Sequence, residues 1–212
     1  MPDKNRRILI LFAHPAYEKS RVNRVLLKEV RDLPGVTFHD LYENYPDFAI
    51  DVEREQELLV AHDVVVFHHP FFWYSTPAIL KEWQDLVLQH GWAYGHSGTA
   101  LRGKVLMNVL TTGGGESAYQ AEGHNRFTIR QFLAPLEQTA RLCGMNFLPP
   151  FVAHGTHGMK PAEMDGHGKD LRRLMEALRD GLLDPKRFGE LPRINADLDA
   201  VLNPPASSTN KA

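Results

Sequence analysis

A single cysteine, Cys143, stands among the 212 residues, so no internal disulfide can staple this chain and a reducing compartment is expected. No run of 18 apolar residues occurs, which leaves no candidate for a membrane-spanning helix. The segment Met1 to Arg7 lacks the apolar centre of a secretory signal. Together these absences predict a cytoplasmic protein. An excess of either charge is missing as well: 24 Lys and Arg stand against 26 Asp and Glu, a net charge of −2. That balance gives no electrostatic footprint for DNA or RNA, and no nucleic-acid partner is expected. What is present is 43% hydrophobic and 24% charged residues, the mix of an ordinary globular chain with one sizeable core.

Hydrophobic patterning alternates between two periods. Arg7–His14 and Asp63–His68 are short apolar runs rich in β-formers, Val36–Leu41 is a weaker strand, and Lys104–Thr111 is a fourth. A fifth strand falls in Asn146–Ala153, interrupted by Pro149 and Pro150. Between them lie amphipathic helices. One is capped by Ser20 and runs to Leu33, one spans Asp51–His62, and one spans Thr76–Gln89 with Ile79, Leu80, Trp83, Leu86 and Val87 on one stripe. Thr128–Cys143 follows, with a kink or late start at Pro135, and Leu171, Leu174, Met175, Leu178 and Leu182 mark a last helix. Strands alternating with helices predict an α/β fold, a doubly wound five-stranded parallel sheet of order 2-1-3-4-5. Residues 1–202 are expected to form one domain. The tail 203–212 has no core-forming pattern and is expected to be disordered.

In such sheets ligands bind beyond the carboxyl ends of the strands, where the strand order reverses. Three unusual loops leave those ends. Ala13–Asn23 (AHPAYEKSRVN) runs into a helix N-terminus, a ready phosphate site to which His14, Ser20, Arg21 and Asn23 add donors. His68–Ser75 (HHPFFWYS) holds four consecutive aromatics, suited to stacking on a flat ring or to a hydrophobic contact. Thr111–Gly115 (TTGGG) allows close backbone approach to a ligand. Taken singly, each has a bland reading: a plain N-cap, a hydrophobic plug, a flexible turn. Their convergence is the specific signal.

From Ile8 to Phe151 the chain resembles the flavin-dependent NAD(P)H:quinone oxidoreductases of the DT-diaphorase type. It resembles most the ancillary subunits of the bacterial glutathione-gated Kef potassium efflux systems. The residues that carry the likeness are AHP at 13–15, SRVN at 20–23, DLYENYPDFAID at 40–51, HPFFWYS at 69–75 and P-x-x-L-K-x-W at 77–83. The series continues with GWAYGHSGTALRGK at 91–104, TTGGGESAY at 111–119, Cys143-Gly144 and Leu148-Pro149-Pro150.

The resemblance implies a flavin, FMN rather than FAD, with its phosphate on His14, Ser20, Arg21, Val22 and Asn23. It implies an isoalloxazine laid against Pro70, Phe71, Phe72, Trp73 and Tyr74 and against Thr111, Thr112, Gly113 and Gly114. Tyr119 matches the family's active-site tyrosine. The family's histidine follows shortly after; here His124 falls one position early and Asn125 takes the matching place. Phe72 stands where related enzymes often have Gln. NAD(P)H is implied as co-substrate and a quinone-like molecule as acceptor. A homodimer is implied too, with Trp92 and Tyr94 serving the partner's site, and so is attachment to the inner membrane through a potassium efflux antiporter.

Two other readings compete. The first is a flavin-binding regulatory module with little turnover. The second is a zinc-dependent deacetylase-like hydrolase, suggested by His14-Pro15 and by the spacing of His154 and His157. Its expected aspartate ligand is missing, because Ala16 and Tyr17 follow the His-Pro pair.

Overall fold

The computed structural model describes residues 5–185, 188 and 191–203. The tail expectation lies, apart from Asn203, outside the described residues. Four strands form where the apolar runs predict them: β1 (Ile8–Phe12), β2 (Val36–Asp40), β3 (Val64–Pro70) and β4 (Val105–Thr111). The proline pair splits the fifth into β5 (Asn146–Phe147) and β6 (Phe151–Ala153), because Pro149 and Pro150 cannot donate to the ladder. Both pieces pair with β4, so the parallel order is β2-β1-β3-β4 with β5 and β6 sharing the last position. The expected order holds, with a sixth strand in place of an unbroken fifth. β1, β3 and β4 are buried along their whole length, as strands covered on both faces must be.

One face is covered by α1 (Arg21–Val30), α7 (Pro161–Arg179) and α8 (Leu198–Leu202). The other carries α2 (Leu41–Asn44), α3 (Val52–Ala61), α4 (Ala78–Val87), α5 (Ile129–Phe132) and α6 (Ala134–Leu142). Pro135 sits in the first turn of α6 and separates it from α5, which is the late start the sequence allows.

The last helix departs furthest from expectation. It begins at Pro161, ten residues before the leucine stripe starts, and ends at Arg179. Leu182 lies beyond it and is exposed, and Leu86 on α4 is also exposed rather than part of the buried stripe. Gly168 explains the disguise of α7: a Cβ there would lie 3.0 Å from Glu29 Cγ on α1. The glycine that reads as a helix breaker is what lets the two helices close.

Beneath α3 and α4 lies a polar cluster that the sequence does not advertise. Glu55 is fully buried and accepts from Tyr45 Oη at 2.6 Å, His39 Nε2 at 2.7 Å and Trp83 Nε1 at 2.8 Å. Burial raises its carboxyl pKa, but the three hydrogen bonds and the His39 charge outweigh burial and leave it below the usual carboxylate range.

Candidate functional site

A cavity of about 330 Å³ opens at the carboxyl ends of β1, β3 and β4, and all three sequence-predicted loops reach it. From the first loop come His14, Ser20, Arg21, Val22 and Asn23. From the second come Pro70, Phe71 and Phe72, and from the third Thr111 and Gly113. Trp73, Tyr74, Thr112 and Gly114 do not line it.

The first loop is built to donate. Ser20 caps α1, and its Oγ accepts from the Asn23 backbone N–H at 3.2 Å and from Asn23 Nδ2 at 3.0 Å. With both lone pairs engaged, the hydroxyl hydrogen is left for a ligand. His14 Nδ1 accepts from the Ala16 N–H at 3.1 Å, so the ring carries its proton on Nε2. Burial pushes the His14 pKa below its ordinary value, so the ring is a neutral N–H donor near pH 7. α1 has no acidic residue in its first turn, and Lys19 and Arg21 flank it. Free helix N–H groups, a positive dipole end and two cations make one anion cradle.

Asn23, which lines the cavity, also ties its walls together. Its Nδ2 donates to Ser20 Oγ and, at 3.0 Å, to Thr111 Oγ1, while its Oδ1 accepts from His68 Nε2 at 2.9 Å. The side chain ties α1 to β3 and β4 and so positions the cradle. Burial holds the His68 pKa down to about 3, with His69 and His14 adding to the effect. The sign of the consequence is definite. The unfolded chain takes a proton near pH 6.5 that the fold refuses, so stability is full above 6.5 and falls steadily below it. Urea denaturation at pH 7 and pH 5 is expected to show a lower midpoint at pH 5. Equal midpoints would contradict a neutral, buried His68.

The second loop stores strain. Trp73 and Tyr74 have φ of 47° and 65°, and the Ser75 N–H closes the turn on the Phe72 carbonyl at 3.0 Å. Left-handed backbone at two successive aromatics is uncommon and costs energy that glycine would avoid. Its result is to turn Phe71 and Phe72 toward the cavity while Trp73 stands 93% exposed. Tyr74 stacks on Phe132 at 5.0 Å and donates to Asn125 Oδ1 at 3.3 Å.

In the third loop Thr112 Oγ1 donates to the Gly114 carbonyl at 2.8 Å. The Gly155 N–H reaches the same carbonyl, and the Thr156 N–H reaches that of Thr112. These contacts bind the glycine loop to a fourth loop after β6, whose Thr156 and His157 also line the cavity. A Cβ at Gly113 would lie 2.6 Å from His157 Nε2, so a larger residue there would push the exposed His157 ring aside. Tyr119, at the end of a 3-10 turn (Glu116–Ala118), is buried with its ring 6.2 Å from Phe71 and 5.6 Å from His154. Burial raises its pKa, against the opposing influence of Thr112 and Asn125 beside the hydroxyl.

His124 does not join this group. It is exposed, while Asn125 is half-buried, donates its N–H to the Ala118 carbonyl at 2.9 Å and meets both tyrosines. Lys19, Thr156 and His157 are cavity residues that sequence reasoning missed. His157 was visible only as a candidate metal ligand, and among the described residues no group of three or more His, Cys, Asp or Glu is placed to hold a metal. A neighbouring recess of about 420 Å³ is lined in part by Glu163 and Asp170, whose carboxylates suit it poorly for an anion. Among the described residues no helix is long and apolar enough to cross a membrane.

The family model of the flavodoxin-like fold matches residues 6–175. The glutathione-regulated potassium-efflux system ancillary protein KefG of Serratia proteamaculans is 47% identical over 161 residues, 76% of this chain and 88% of that protein. Two solved structures are also similar. The general stress protein 14 of Treponema denticola, in complex with FMN, is 35% identical with a TM-score of 0.78 over 81% of this chain and 99% of that one. The NADPH-quinone reductase of P. pentosaceus is 31% identical with a TM-score of 0.71 over 82% and 97%. The strand order, the cradle at the end of β1 and the extent of these matches agree, and the chain belongs to the flavodoxin-like fold family.

Proposed function

We propose that this protein is an FMN-dependent NAD(P)H:quinone oxidoreductase that serves as an ancillary subunit of a potassium efflux antiporter. The observation that carries the reading is the convergence of an anion cradle, an aromatic wall and a glycine loop on one cavity without a lining carboxylate. The residues fit the group. The cradle offers the Ser20 hydroxyl, His14 Nε2–H and the N–H groups of α1 to a phosphate. Phe71 and Phe72 offer apolar walls to a ring system, and Gly113 leaves its edge open. When bound, the flavin accepts hydride from NAD(P)H and returns it to a quinone, so the difficult chemistry is the cofactor's.

The protein's share is position and electrostatics. Asn23 keeps the cradle aligned with β3 and β4, and the strained turn holds the aromatics in place. Tyr119, kept protonated by burial, presents a hydroxyl donor where charge develops. The likeness to a protein solved in complex with FMN favours FMN over FAD, and the likeness to an ancillary protein supports the antiporter partner. Phe72, Trp73, Tyr74 and Phe127 are exposed near the cavity mouth, which suits coverage by a second subunit.

A visible spectrum of the purified protein, with extraction of the cofactor, tests the flavin. A colourless protein that binds neither added FMN nor FAD would refute the proposal. Oxidation of NAD(P)H with a simple quinone then separates an enzyme from a flavin-loaded regulator that does not turn over. Ser20→Ala and His14→Ala are each expected to weaken FMN binding by roughly 10-fold or more, the worth of one hydrogen bond to a charged group. Ser20→Thr, which keeps both cap and hydroxyl, should bind like the parent. Unchanged titration curves for both alanine variants would move the phosphate elsewhere.

A further inference from the structure

Residues 191–203 lie beyond the segment matched by the family, yet they bind directly to the loop that carries Tyr119. Ile194, Leu198 and Val201 are buried in the core on the α1 and α7 face, which fixes the path of the segment. It then runs along the free edge of β6. The Ile194 N–H bonds to the Pro150 carbonyl at 2.9 Å. The Asn195 amide satisfies both backbone groups of Val152: Oδ1 accepts its N–H and Nδ2 donates to its carbonyl, each at 3.0 Å. A side chain thus does what a further strand would do at that edge.

From this anchored segment Arg193 reaches back across the sheet end. Its Nε and Nη2 grip the two carboxylate oxygens of Glu116 at 3.0 and 2.9 Å, and its Nη1 donates to the Asn195 carbonyl at 2.8 Å. The guanidinium is held on two sides, so the contact has a fixed geometry that a mobile surface pair lacks. Glu116 opens the 3-10 turn, and Tyr119 directly follows it, its N–H bonded to the Glu116 carbonyl at 3.0 Å. Only Ser117 and Ala118 separate the gripped carboxylate from the tyrosine. A Cβ added at Gly115, just before the turn, would meet no atom within 4 Å.

We propose that Arg193 is a positioning residue for Tyr119: the segment 191–203 acts as a strap whose guanidinium fork holds the Glu116–Tyr119 turn in register with the cavity. The role rests on the proposed oxidoreductase reading for its catalytic consequence, but the restraint itself does not. His154 lies under the same strap. Its ring packs on Tyr119, and its Nδ1 stands 3.1 Å from Thr112 Oγ1.

The test uses the full chain with FMN bound. Arg193→Met removes the guanidinium while keeping an unbranched apolar stem, and Glu116→Gln removes the charge at constant shape. Each is expected to lower kcat for quinone reduction by roughly three- to tenfold, because small misplacements of a group at the reacting centre are costly. FMN affinity should stay within about twofold of the parent, since neither residue lines the cradle. The double variant should be no slower than either single one. The exchanged pair Arg193→Glu with Glu116→Arg should recover part of the loss. Unchanged kcat in both single variants, or multiplying losses in the double one, would overturn the role.

Hydrogen exchange followed by mass spectrometry makes the test independent of turnover. Amides of the 115–120 segment should exchange faster in Arg193→Met than in the parent. A parent without quinone turnover but with this faster exchange would overturn the oxidoreductase reading and sustain the strap. Equal exchange would overturn the strap whatever the activity.

Discussion

Replacing Glu55 with Ala is expected to lower the melting temperature by about 10 °C, the largest single-residue effect on stability outside the apolar core. Removing one partner of a buried charged cluster costs about 3–5 kcal/mol, because the groups left behind have no water to turn to. Three donors would be stranded here: His39 Nε2, Tyr45 Oη and Trp83 Nε1. At roughly 2–4 °C per kcal/mol for a chain of this size, the shift is readily seen by calorimetry or circular dichroism. Asp85→Ala is the contrast. It removes an exposed partner of Lys81 and should move the midpoint by less than about 2 °C.

The pH dependence has a fixed sign. Glu55 titrates below its ordinary value of 4.5 in the fold, so its contribution is complete above that value and is lost as pH falls through the depressed one. The gap between parent and Glu55→Ala should therefore narrow in acid below about 4.5. A gap that persists undiminished at pH 3, or no gap at pH 7, would contradict the cluster's role.

The second large effect concerns chemistry. Tyr119→Phe should slow reduction of the bound flavin by roughly 100-fold, the low end of the range for losing one donor to developing charge. FMN affinity should hardly change, because Tyr119 does not line the cradle. Stopped-flow absorbance separates the two quantities. Equal reduction rates would remove Tyr119 from the mechanism. The neighbours sharpen the comparison. Asn125 meets Tyr74 and stands beside the Tyr119 hydroxyl, whereas His124 is exposed. Asn125→Ala should slow the same step by severalfold, and His124→Ala should leave it within about twofold of the parent. The reverse ranking would restore His124 to the role that the resemblance suggested.

Some of this was legible before any coordinates. The buried strands announce themselves as Ile8–Phe12, Val64–Phe67 and, interrupted only by the buried Asn108, Val105–Leu110, since a strand covered on both faces favours near-continuous apolar residues. Ser20 reads as a helix cap and is one. The convergence of three loops follows from strand order alone, and the cavity has the lining that order implies. Local rules misled at α7, where Gly166 and Gly168 hide a helix whose contact with α1 requires Gly168. They misled again at Leu182, where a leucine in register with a helical stripe lies past the helix end.

By itself, then, the sequence determined the alternation of buried strands and amphipathic helices, their order in the sheet and the three loops at one end. Each of those depends on hydrophobic period, caps and chain direction, which neighbours in sequence carry. Only the tertiary structure decided that Asn23 ties α1 to β3 and β4, that His157 overhangs Gly113, that Asn125 and not His124 stands beside Tyr119, and that Arg193 holds Glu116. Each of these is a pairing of side chains far apart in sequence. Their distances are set by how the sheet twists and the helices pack, and no local pattern encodes them.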